Sequence, residues 1–355
     1  MRVLIVDNSI VFRSQIKAAL MDIPSIEVVG SVSNGKIALA KIEQETIDLI
    51  TLDLEMPELG GLETLQELRR RGYKTRVIVF ASPNNQEVDS ALQSIHLGAD
   101  DVVLKPSGST QSLESAAESI KAVLLPKILQ FVAKEVVEEK TVPLKTTKQK
   151  SEWPLVDLDR WGPPEVVVIG SSTGGPVALE QLLQGVQSPF PCPILIVQHM
   201  PPVFTTSWAE RLSKTTGLNV REATPMEPPL ANHCYVAPGD YHMYLIKKNE
   251  GLKLMIEQGP RRNSVRPSVD ILFESAAEVY GNRALGIILT GMGEDGLLGA
   301  QSIKKLGGAI MIQNKESSIV FGMPGAVFDS GAYDKIGHIK ELSFWLKKII
   351  SPVPQ

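Results

Sequence analysis

The chain has 355 residues, of which 43% are hydrophobic and 21% charged, with a formal net charge of −4. This length allows two domains with separate cores, and the composition is that of a soluble globular protein. The small negative charge disfavours a general affinity for nucleic acid or for anionic membranes. No apolar run approaches the roughly 20 residues that a membrane-spanning helix needs, so we expect no membrane insertion.

Cysteine usage and the first residues of the chain bear on its location. Cys192 and Cys234 are the two cysteines, and neither lies in a C-x-x-C pair. This pattern disfavours a disulfide framework or a structural zinc site and favours reduced thiols in a cytosolic protein. The opening "MRVLIVDNS" has too short an apolar part for a signal peptide. We therefore expect a cytoplasmic protein.

Residues 1–122 alternate apolar strand patterns with amphipathic helical patterns. The helical stretches include "SIVFRSQIKAALMDI" and "GLETLQELRRRG". The strand patterns read "RVLIVD", "EVVGSV", "LITLDL", "RVIVFAS" and "DVVLKP". Strands and helices in this alternation predict an α/β domain, a doubly wound parallel sheet with helices on both faces.

The composition changes after the fifth strand. Residues 123–164 are rich in Lys, Glu, Thr and Pro, which predicts a linker whose first part extends the last helix. Residues 165–350 resume the strand patterns with "EVVVIGSS", "PILIVQH", "HCYVAPGD", "LKLMIEQG", "ALGIILTG" and "AIMIQN". They predict a second α/β domain with a mostly parallel sheet and some antiparallel hairpins.

Three charged side chains end strands of the first domain. Asp7 ends the first strand, Asp53 the third and Lys105 the fifth. Loops at the carboxyl ends of parallel strands converge in a crevice, so these groups are expected to meet. Two carboxylates and an ammonium suit a magnesium ion and a phosphoryl group, because hard cations prefer oxygen ligands. Solvated acids at loop starts are the alternative.

The motifs "LIVDNS", "LDLEMP" and "KP" resemble the receiver domain of two-component response regulators over residues 1–122. The resemblance implies a flavodoxin-like doubly wound fold, and it implies that Asp53 accepts a phosphoryl group from a histidine kinase. It also implies that Asp7, with Asp53, holds Mg²⁺ and that Lys105 contacts the phosphoryl group.

Two positions depart from the receiver pattern. Asn8 stands where the family usually has a second metal-binding acid, and an amide supplies no charge, so we expect weaker Mg²⁺ binding. Ala81 stands where the family has its switch hydroxyl. Ser82 comes one position later, and adjacent strand residues point to opposite faces. A receiver that no longer switches fully is therefore the alternative.

The stretch "GSSTG" in the second domain fits G-x-S-x-G, with Ser172 in the middle. This pattern is typical of a sharp strand-to-helix turn that presents a serine hydroxyl above the sheet. Ser171 and Thr173 are rival hydroxyls in the same loop. A plain glycine-serine turn is the alternative.

A nucleophilic serine needs a base. His199 follows the apolar run "PILIVQH", which predicts a buried parallel strand and places His199 at the same sheet edge as Ser172. His233 precedes its strand, which places it at the opposite edge if that strand is parallel. The remaining histidines lie in less suitable settings: His96, His242 and His338.

The third group of such a site is an acid that orients the imidazole. Glu294 and Asp295 follow the apolar run "ALGIILTG" and are the favoured candidates, with Asp240 and Asp270 as competitors. Three strands therefore offer a serine, a histidine and an acid at one edge of the sheet. Their chain order differs from that of the α/β-hydrolases.

Several motifs together resemble the catalytic domain of the CheB family of chemotaxis protein-glutamate methylesterases, over residues 165–345. They are "GSSTGGP", "QHMPP", "APGDYHM", "RPSVD", "ILTGMGEDG" and "FGMPGAV". The resemblance implies that Ser172 is the nucleophile, His199 the general base and Asp295 the orienting acid, with no cofactor for catalysis. It implies hydrolysis of glutamyl methyl esters on methyl-accepting chemotaxis receptors, and deamidation of specific receptor glutamines.

Oxyanion donors are expected in two loops, with Thr173, Gly174, Gly175 and Met292 as candidates. The resemblance also implies regulation, with the receiver restricting the substrate until Asp53 is phosphorylated. One alternative is a response regulator whose "GSSTGG" turn binds an anion without catalysis. A DNA-binding response regulator is disfavoured by the acidic composition and by the α/β pattern.

Overall fold

The computed structural model describes residues 1–106, 113–138, 153, 155–158 and 161–350. The chain divides into two compact units, residues 1–144 and 145–355. Within the described ranges, no helix has both the length and the apolar character required to cross a bilayer.

The first unit is a parallel five-stranded sheet with order β2-β1-β3-β4-β5. Its central strands are buried along almost their whole length, which explains why they read as continuous apolar runs. The strands are β1 Arg2–Val6, β2 Glu27–Val32, β3 Leu49–Asp53, β4 Arg76–Ala81 and β5 Asp101–Leu104. The helices are α1 Ile10–Leu20, α2 Gly35–Gln44, α3 Gly61–Arg70, α4 Asn85–His96 and α5 Leu113–Glu138.

The second unit has a parallel seven-stranded sheet with order β14-β13-β12-β6-β7-β9-β8 and a separate antiparallel hairpin, β10-β11. Its strands are β6 Val166–Ser171, β7 Ile194–Gln198, β8 Val220–Glu222, β9 Cys234–Val236, β10 His242–Lys248, β11 Gly251–Glu257, β12 Ala284–Ile288, β13 Ala309–Gln313 and β14 Lys335–Gly337. The helices are α6 Gly175–Leu183, α7 Pro202–Thr216, α8 Val269–Tyr280, α9 Leu297–Lys305, α10 Met323–Ser330 and α11 Ile339–Ile350, with a 3₁₀ turn at Gly281–Arg283.

Both sheets confirm the predicted α/β fold class. The fully buried strands β6, β7, β12 and β13 are the ones that apolar runs predict. The sequence analysis did not predict β8, β10 and β14. Strands β8 and β14 have three residues each, too few to show a periodic pattern. Strand β9 pairs in parallel with β7, so His233 precedes its strand at the edge opposite Ser172, as expected.

The structure describes part of the predicted linker at each of its two ends. Helix α5 includes residues 123–138. On the second unit, Trp153 Nε1 donates to Ser330 O at 3.3 Å and Val156 N donates to Asp334 Oδ1 at 2.7 Å. Asp334 also pairs with Lys304, and both side chains are fully buried. The boundaries 1–122, 123–164 and 165–350 stay a prediction, and residues 139–152 lie outside the described ranges.

Candidate active site

Three neighbouring strands at the middle of the second sheet bring the predicted residues to one edge. Strand β6 lies between β12 and β7, and Ser171 pairs with Gln198 in the parallel register. Ser172 N donates to Thr290 O at 3.0 Å, and His199 N donates to Ser171 O at 3.0 Å. These bonds continue the ladder past the strand ends and fix the backbones that carry Ser172 and His199.

Burial distinguishes the three hydroxyls of the turn after β6. Ser171 is fully buried, and its Oγ donates to Gln198 Oε1 at 2.7 Å. Thr173 is 5% exposed, whereas Ser172 is partly exposed. Gly174 has a φ of 77°, in the left-handed region that favours glycine, and it turns the chain sharply into α6. Of the three, Ser172 therefore offers the accessible hydroxyl.

The imidazole of His199 is held by Asp295. His199 Nε2 lies 2.9 Å from Asp295 Oδ2, and the two side chains are 11% and 3% exposed. This bond leaves Nδ1 as the ring nitrogen that is available to accept a proton. Among the described residues, no hydrogen bond joins His199 to Ser172 Oγ, so their proximity rests on the adjacent strand ends.

Asp295 is buried but well supplied with donors. Its carboxylate accepts from Val269 N at 2.6 Å, Ser268 Oγ at 2.8 Å and Asp270 N at 3.2 Å, all at the start of α8. Burial raises the pKa of Asp295, but the bond to His199 and these donors outweigh it and hold the pKa below its ordinary value. Asp295 therefore remains a carboxylate beside the imidazole.

The competing acids do not contact His199. Glu294 is exposed. Asp270 is buried and accepts from Gly296 N and Gly299 N at the start of α9, at 2.9 and 2.8 Å. Burial, with the charge of Asp295 adding to it, raises the pKa of Asp270. Asp240 pairs instead with Arg266 at 2.7 Å.

The alternative base His242 has both ring nitrogens occupied. Its Nε2 lies 2.9 Å from Pro260 O, and its Nδ1 accepts from Ser268 N at 3.2 Å. A donor on one nitrogen and an acceptor on the other specify a neutral, structural imidazole. The geometry therefore favours His199 over His242 as a base.

The candidate oxyanion loops differ in the use of their N–H groups. Gly175 N donates to Ser172 O at 2.8 Å, within the turn. Within the described part of the chain, the N–H groups of Gly174 and Met292 have no backbone acceptor. A Cβ on Gly291 would lie 2.8 Å from Ser172 Cβ, so the loop that carries Met292 packs directly against the serine.

All three arginines of the loop before α8 form ion pairs within the second unit. Arg262 binds Glu274 through two bonds of 2.6 and 2.7 Å. Arg266 donates to Asp240 and to Gly259 O. Arg261 is more exposed and lies 3.2 Å from Asp240. These contacts stabilise the loop before α8, whose first residues bind Asp295.

Buried glutamines at two strand ends were missed by the sequence analysis. Gln198, the last residue of β7, contacts the backbone on both sides of the site. Gln313, the last residue of β13, accepts from Thr290 N at 2.8 Å and donates to Ser317 O at 2.8 Å. A polar residue that ends a wholly apolar run is the sequence signal that could have identified both.

The first unit has a second cluster, made by Asp7, Asp53 and Lys105. Lys105 Nζ lies 3.0 Å from Asp7 Oδ2 and 2.8 Å from Asp53 Oδ1. Both acids are buried, and within the described residues neither of these two oxygens accepts a bond from another group. Burial, and then the charge of Asp7, raise the pKa of Asp53 to about 6 despite the opposing effect of Lys105.

This cluster fits a divalent cation, because a second positive charge would relieve the repulsion between two buried carboxylates. Asn8 is exposed and donates to Glu55 O at 2.8 Å. Ala81 ends β4 and is buried, and Ser82 N donates to Glu87 Oε2. The side chain at the switch position is therefore a methyl group.

Comparisons with known proteins match each unit to a known family. The profile of the CheB methylesterase family matches residues 167–346, and that of the response regulator receiver domain matches residues 3–118. A protein-glutamate methylesterase/protein-glutamine glutaminase of Trichodesmium erythraeum is 43% identical over 345 residues, which cover 96% of this chain and 97% of that protein. The chain belongs to the CheB methylesterase family.

Other members of the CheB family support this assignment. A protein of the same name from Thermotoga maritima is 36% identical over 337 residues, which cover 94% of each of the two chains. The crystal structure of the Thermotoga maritima CheB methylesterase catalytic domain is 40% identical, with a TM-score of 0.51, and covers 53% of this chain and 99% of that chain. The chain is therefore an enzyme, a methylesterase that also carries a response regulator receiver domain.

Proposed function

We propose that the protein hydrolyses glutamyl methyl esters on methyl-accepting chemotaxis receptors, and deamidates specific receptor glutamines, in adaptation to chemical stimuli. One observation carries this proposal: an accessible Ser172 lies at a strand end beside His199, which is bound to the buried carboxylate of Asp295. The names of the relatives identify glutamate esters and glutamine amides as the groups they act on.

In the proposed mechanism, His199 Nδ1 removes the proton of Ser172 as Oγ attacks the side-chain carbonyl of the ester. Asp295 holds Nε2 and stabilises the imidazolium that forms. Collapse of the tetrahedral intermediate expels methanol, which takes the proton from His199. Water then repeats these steps on the acyl-enzyme and releases glutamate; with a glutamine substrate the first leaving group is ammonia.

The proposed oxyanion donors are backbone N–H groups from the two loops against Ser172. Gly174 and Met292 are the favoured pair, because the N–H of Gly175 is used inside the turn. Thr173 remains a candidate. Removal of one such donor typically costs about 10²- to 10³-fold in kcat.

The proposed regulation acts through Asp53, phosphorylated by a chemotaxis histidine kinase. Asp7 and Asp53 would hold Mg²⁺, and Lys105 would contact the phosphoryl group. The ion would supply positive charge beside the accepting carboxylate. Asn8 is expected to weaken the ion's binding, and Ala81 is expected to weaken the switch. We place the protein in the cytoplasm, where its free thiols, Cys192 and Cys234, would stay reduced.

Methanol release from a methylated receptor fragment tests the catalytic proposal. Ser172→Ala should lower kcat by about 10⁵-fold or more, as loss of a catalytic serine does elsewhere. Ser171→Ala is the matched control and should lower kcat by no more than about threefold, the cost of one hydrogen bond. Undiminished hydrolysis by a folded Ser172→Ala protein would contradict the assignment of the nucleophile.

Removal of residues 1–150 tests the regulation. This truncation keeps Trp153 and Val156, whose bonds to Ser330 and Asp334 belong to the second unit. We expect its rate on intact receptors to exceed that of the unphosphorylated full chain. An unchanged rate would argue against restraint by the receiver, while leaving the catalytic proposal intact.

A further inference from the structure

The Gln198 side chain connects the two backbones that carry the proposed nucleophile and base. Its Nε2 donates to Ser172 O at 2.9 Å and to His199 O at 3.1 Å. Its Oε1 accepts from Ser171 Oγ at 2.7 Å. The side chain is 2% exposed, so water does not compete for these bonds.

The two backbone carbonyls fix which end of the amide faces which partner. A serine hydroxyl can donate to Oε1, whereas the carbonyls of Ser172 and His199 can only accept. The NH₂ group must therefore face the two carbonyls. Because each Nε2 hydrogen serves one carbonyl, the amide sets the separation between the Ser172 and His199 peptides.

Gly175 shows how closely this arrangement is packed. A Cβ at this position would lie 2.0 Å from Gln198 Oε1 and 2.8 Å from Ser171 Cβ. Gly175 N also donates to Ser172 O, the carbonyl that Gln198 binds. The start of α6 therefore leaves room for the Ser171–Gln198 pair, and its Gly175 N–H helps to hold the Ser172 carbonyl in place.

We propose that Gln198 is a positioning residue, which holds Ser172 and His199 in register for proton transfer through its amide, with Ser171 orienting that amide. This inference rests on the proposed role of Ser172. It gives Ser171 a function other than that of a rival nucleophile. The amide touches no titrating atom, so its contribution should be the same at every pH.

Gln198→Met tests the inference because it keeps the length of the side chain and removes its donors. A displacement of reacting groups by about 1 Å can cost about 10²-fold, so we expect kcat to fall about 10- to 100-fold. The KM should stay nearly unchanged, because the substrate-binding surface is intact. The assay is methanol release by the full chain from a helical peptide that carries a glutamate γ-methyl ester, across the pH range.

A second variant keeps the test valid if Gln198→Met folds poorly. Ser171→Ala removes only the orienting hydroxyl and should lower kcat by less, about threefold for a bond of roughly 0.7 kcal/mol. The double variant should be no slower than Gln198→Met alone, because both changes act on one unit. Wild-type kcat in a folded Gln198→Met protein would overturn the inference, as would a raised KM at constant kcat.

Two controls separate positioning from stability and from the nucleophile assignment. Ser343→Ala removes a bond of 2.8 Å from Ser343 Oγ to Leu182 O, between α11 and α6, and should lower the melting temperature without changing kcat. In a Ser172→Ala background, Gln198→Met should not change the residual rate. If Ser172→Ala itself stays active, the proposed function fails; if only Gln198→Met stays active, the positioning inference alone fails.

Discussion

The proposed catalytic site and the receiver site both lie at the carboxyl ends of parallel strands. Their surroundings, however, shift the pKa values of buried carboxylates in opposite directions. Asp295 is surrounded by donors, and its pKa lies below the ordinary value. Asp53 faces Asp7 with Lys105 as their shared cation, and its pKa is raised to about 6. Burial acts in the same direction on both acids, so the hydrogen bonds and charges around each one decide the outcome.

This difference corresponds to different chemical tasks. In the proposed mechanism Asp295 must stay charged and immobile beside His199, and the start of α8 supplies backbone and hydroxyl donors to its carboxylate. Asp7 and Asp53 retain buried oxygens whose partner in the described structure is one ammonium. The carboxylate of the proposed catalytic site already has donors on both oxygens, whereas the receiver cluster has capacity for a further cation.

Among the variants that compare the two sites, Asp295→Asn should have the largest effect. The amide would lose the charge that stabilises the imidazolium, so we expect kcat for methanol release to fall about 10³- to 10⁴-fold. Asp53→Asn should leave the hydrolysis rate of unphosphorylated protein unchanged. Comparable losses in both variants would contradict the division of tasks between the two acids.

Asp53→Asn should stabilise the receiver at neutral pH. The raised pKa means that folding favours the protonated form of Asp53. The contribution of this group to the free energy of unfolding is therefore fully present below about pH 4 and is lost as the pH rises through about 6. A shift of this size corresponds to at most about 3 kcal/mol in the free energy of unfolding. The free energy of unfolding of the variant should therefore rise above that of the wild type between about pH 4 and pH 6, and the difference should persist at higher pH.

Amide hydrogen exchange of β3 and β4 in the full chain measures this gain. Saturating Mg²⁺ should stabilise the wild type more than the variant and thereby reduce the difference. A variant that exchanges faster than the wild type at pH 7, without the ion, would show that Asp53 is stabilised rather than strained by its surroundings.

Ser268→Ala should have a smaller effect on the catalytic site. It removes a hydroxyl donor from Asp295 Oδ1, so the pKa of Asp295 should rise and kcat should fall about tenfold, equivalent to about 1.4 kcal/mol. Ser275→Ala, on the same helix, is the matched control. Its hydroxyl bonds Leu272 O and Leu245 N, so its loss should lower stability alone. Equal kinetic effects of the two changes would refute this role for Ser268.

The smallest expected effect is that of Asn8→Asp on the binding of Mg²⁺. A third carboxylate at an exposed position should tighten binding about fivefold. One negative charge about 4 Å from a divalent ion contributes about 2 kcal/mol in water, and screening by salt reduces this to about 1 kcal/mol. Calorimetric titration of the full chain with Mg²⁺ measures it. Asn8→Ala adds no charge and should give no such gain; a gain with alanine would assign the effect to the lost bond with Glu55 O.

Much of the fold and of the candidate site followed from local sequence patterns. Buried parallel strands such as β6 and β12 read as apolar runs, and a reactive side chain directly after such a run must lie at the carboxyl edge. This reasoning selected His199, with His233 at the opposite edge. The position of the receiver groups at the ends of β1, β3 and β5 followed in the same way.

Contacts between distant segments could not be predicted in this way. The hydroxyl of Ser268 meets Asp295 only in the folded chain, and Ser268 has no local sequence signal. The sequence left Asp270 as a competitor of the favoured Asp295, and the structure places the Asp270 carboxylate against α9, away from His199. The packing of Gly291 against Ser172 likewise depends on tertiary structure.

Covalent labelling of the full chain with a fluorophosphonate, mapped by mass spectrometry, tests the central claim most directly. The account predicts one label per chain, on Ser172, with Ser171 and Thr173 unmodified. It also predicts that His199→Ala nearly abolishes labelling, whereas Asp53→Asn leaves it unchanged. A label on Ser171 or Thr173, or full hydrolytic activity in a protein labelled at Ser172, would contradict it.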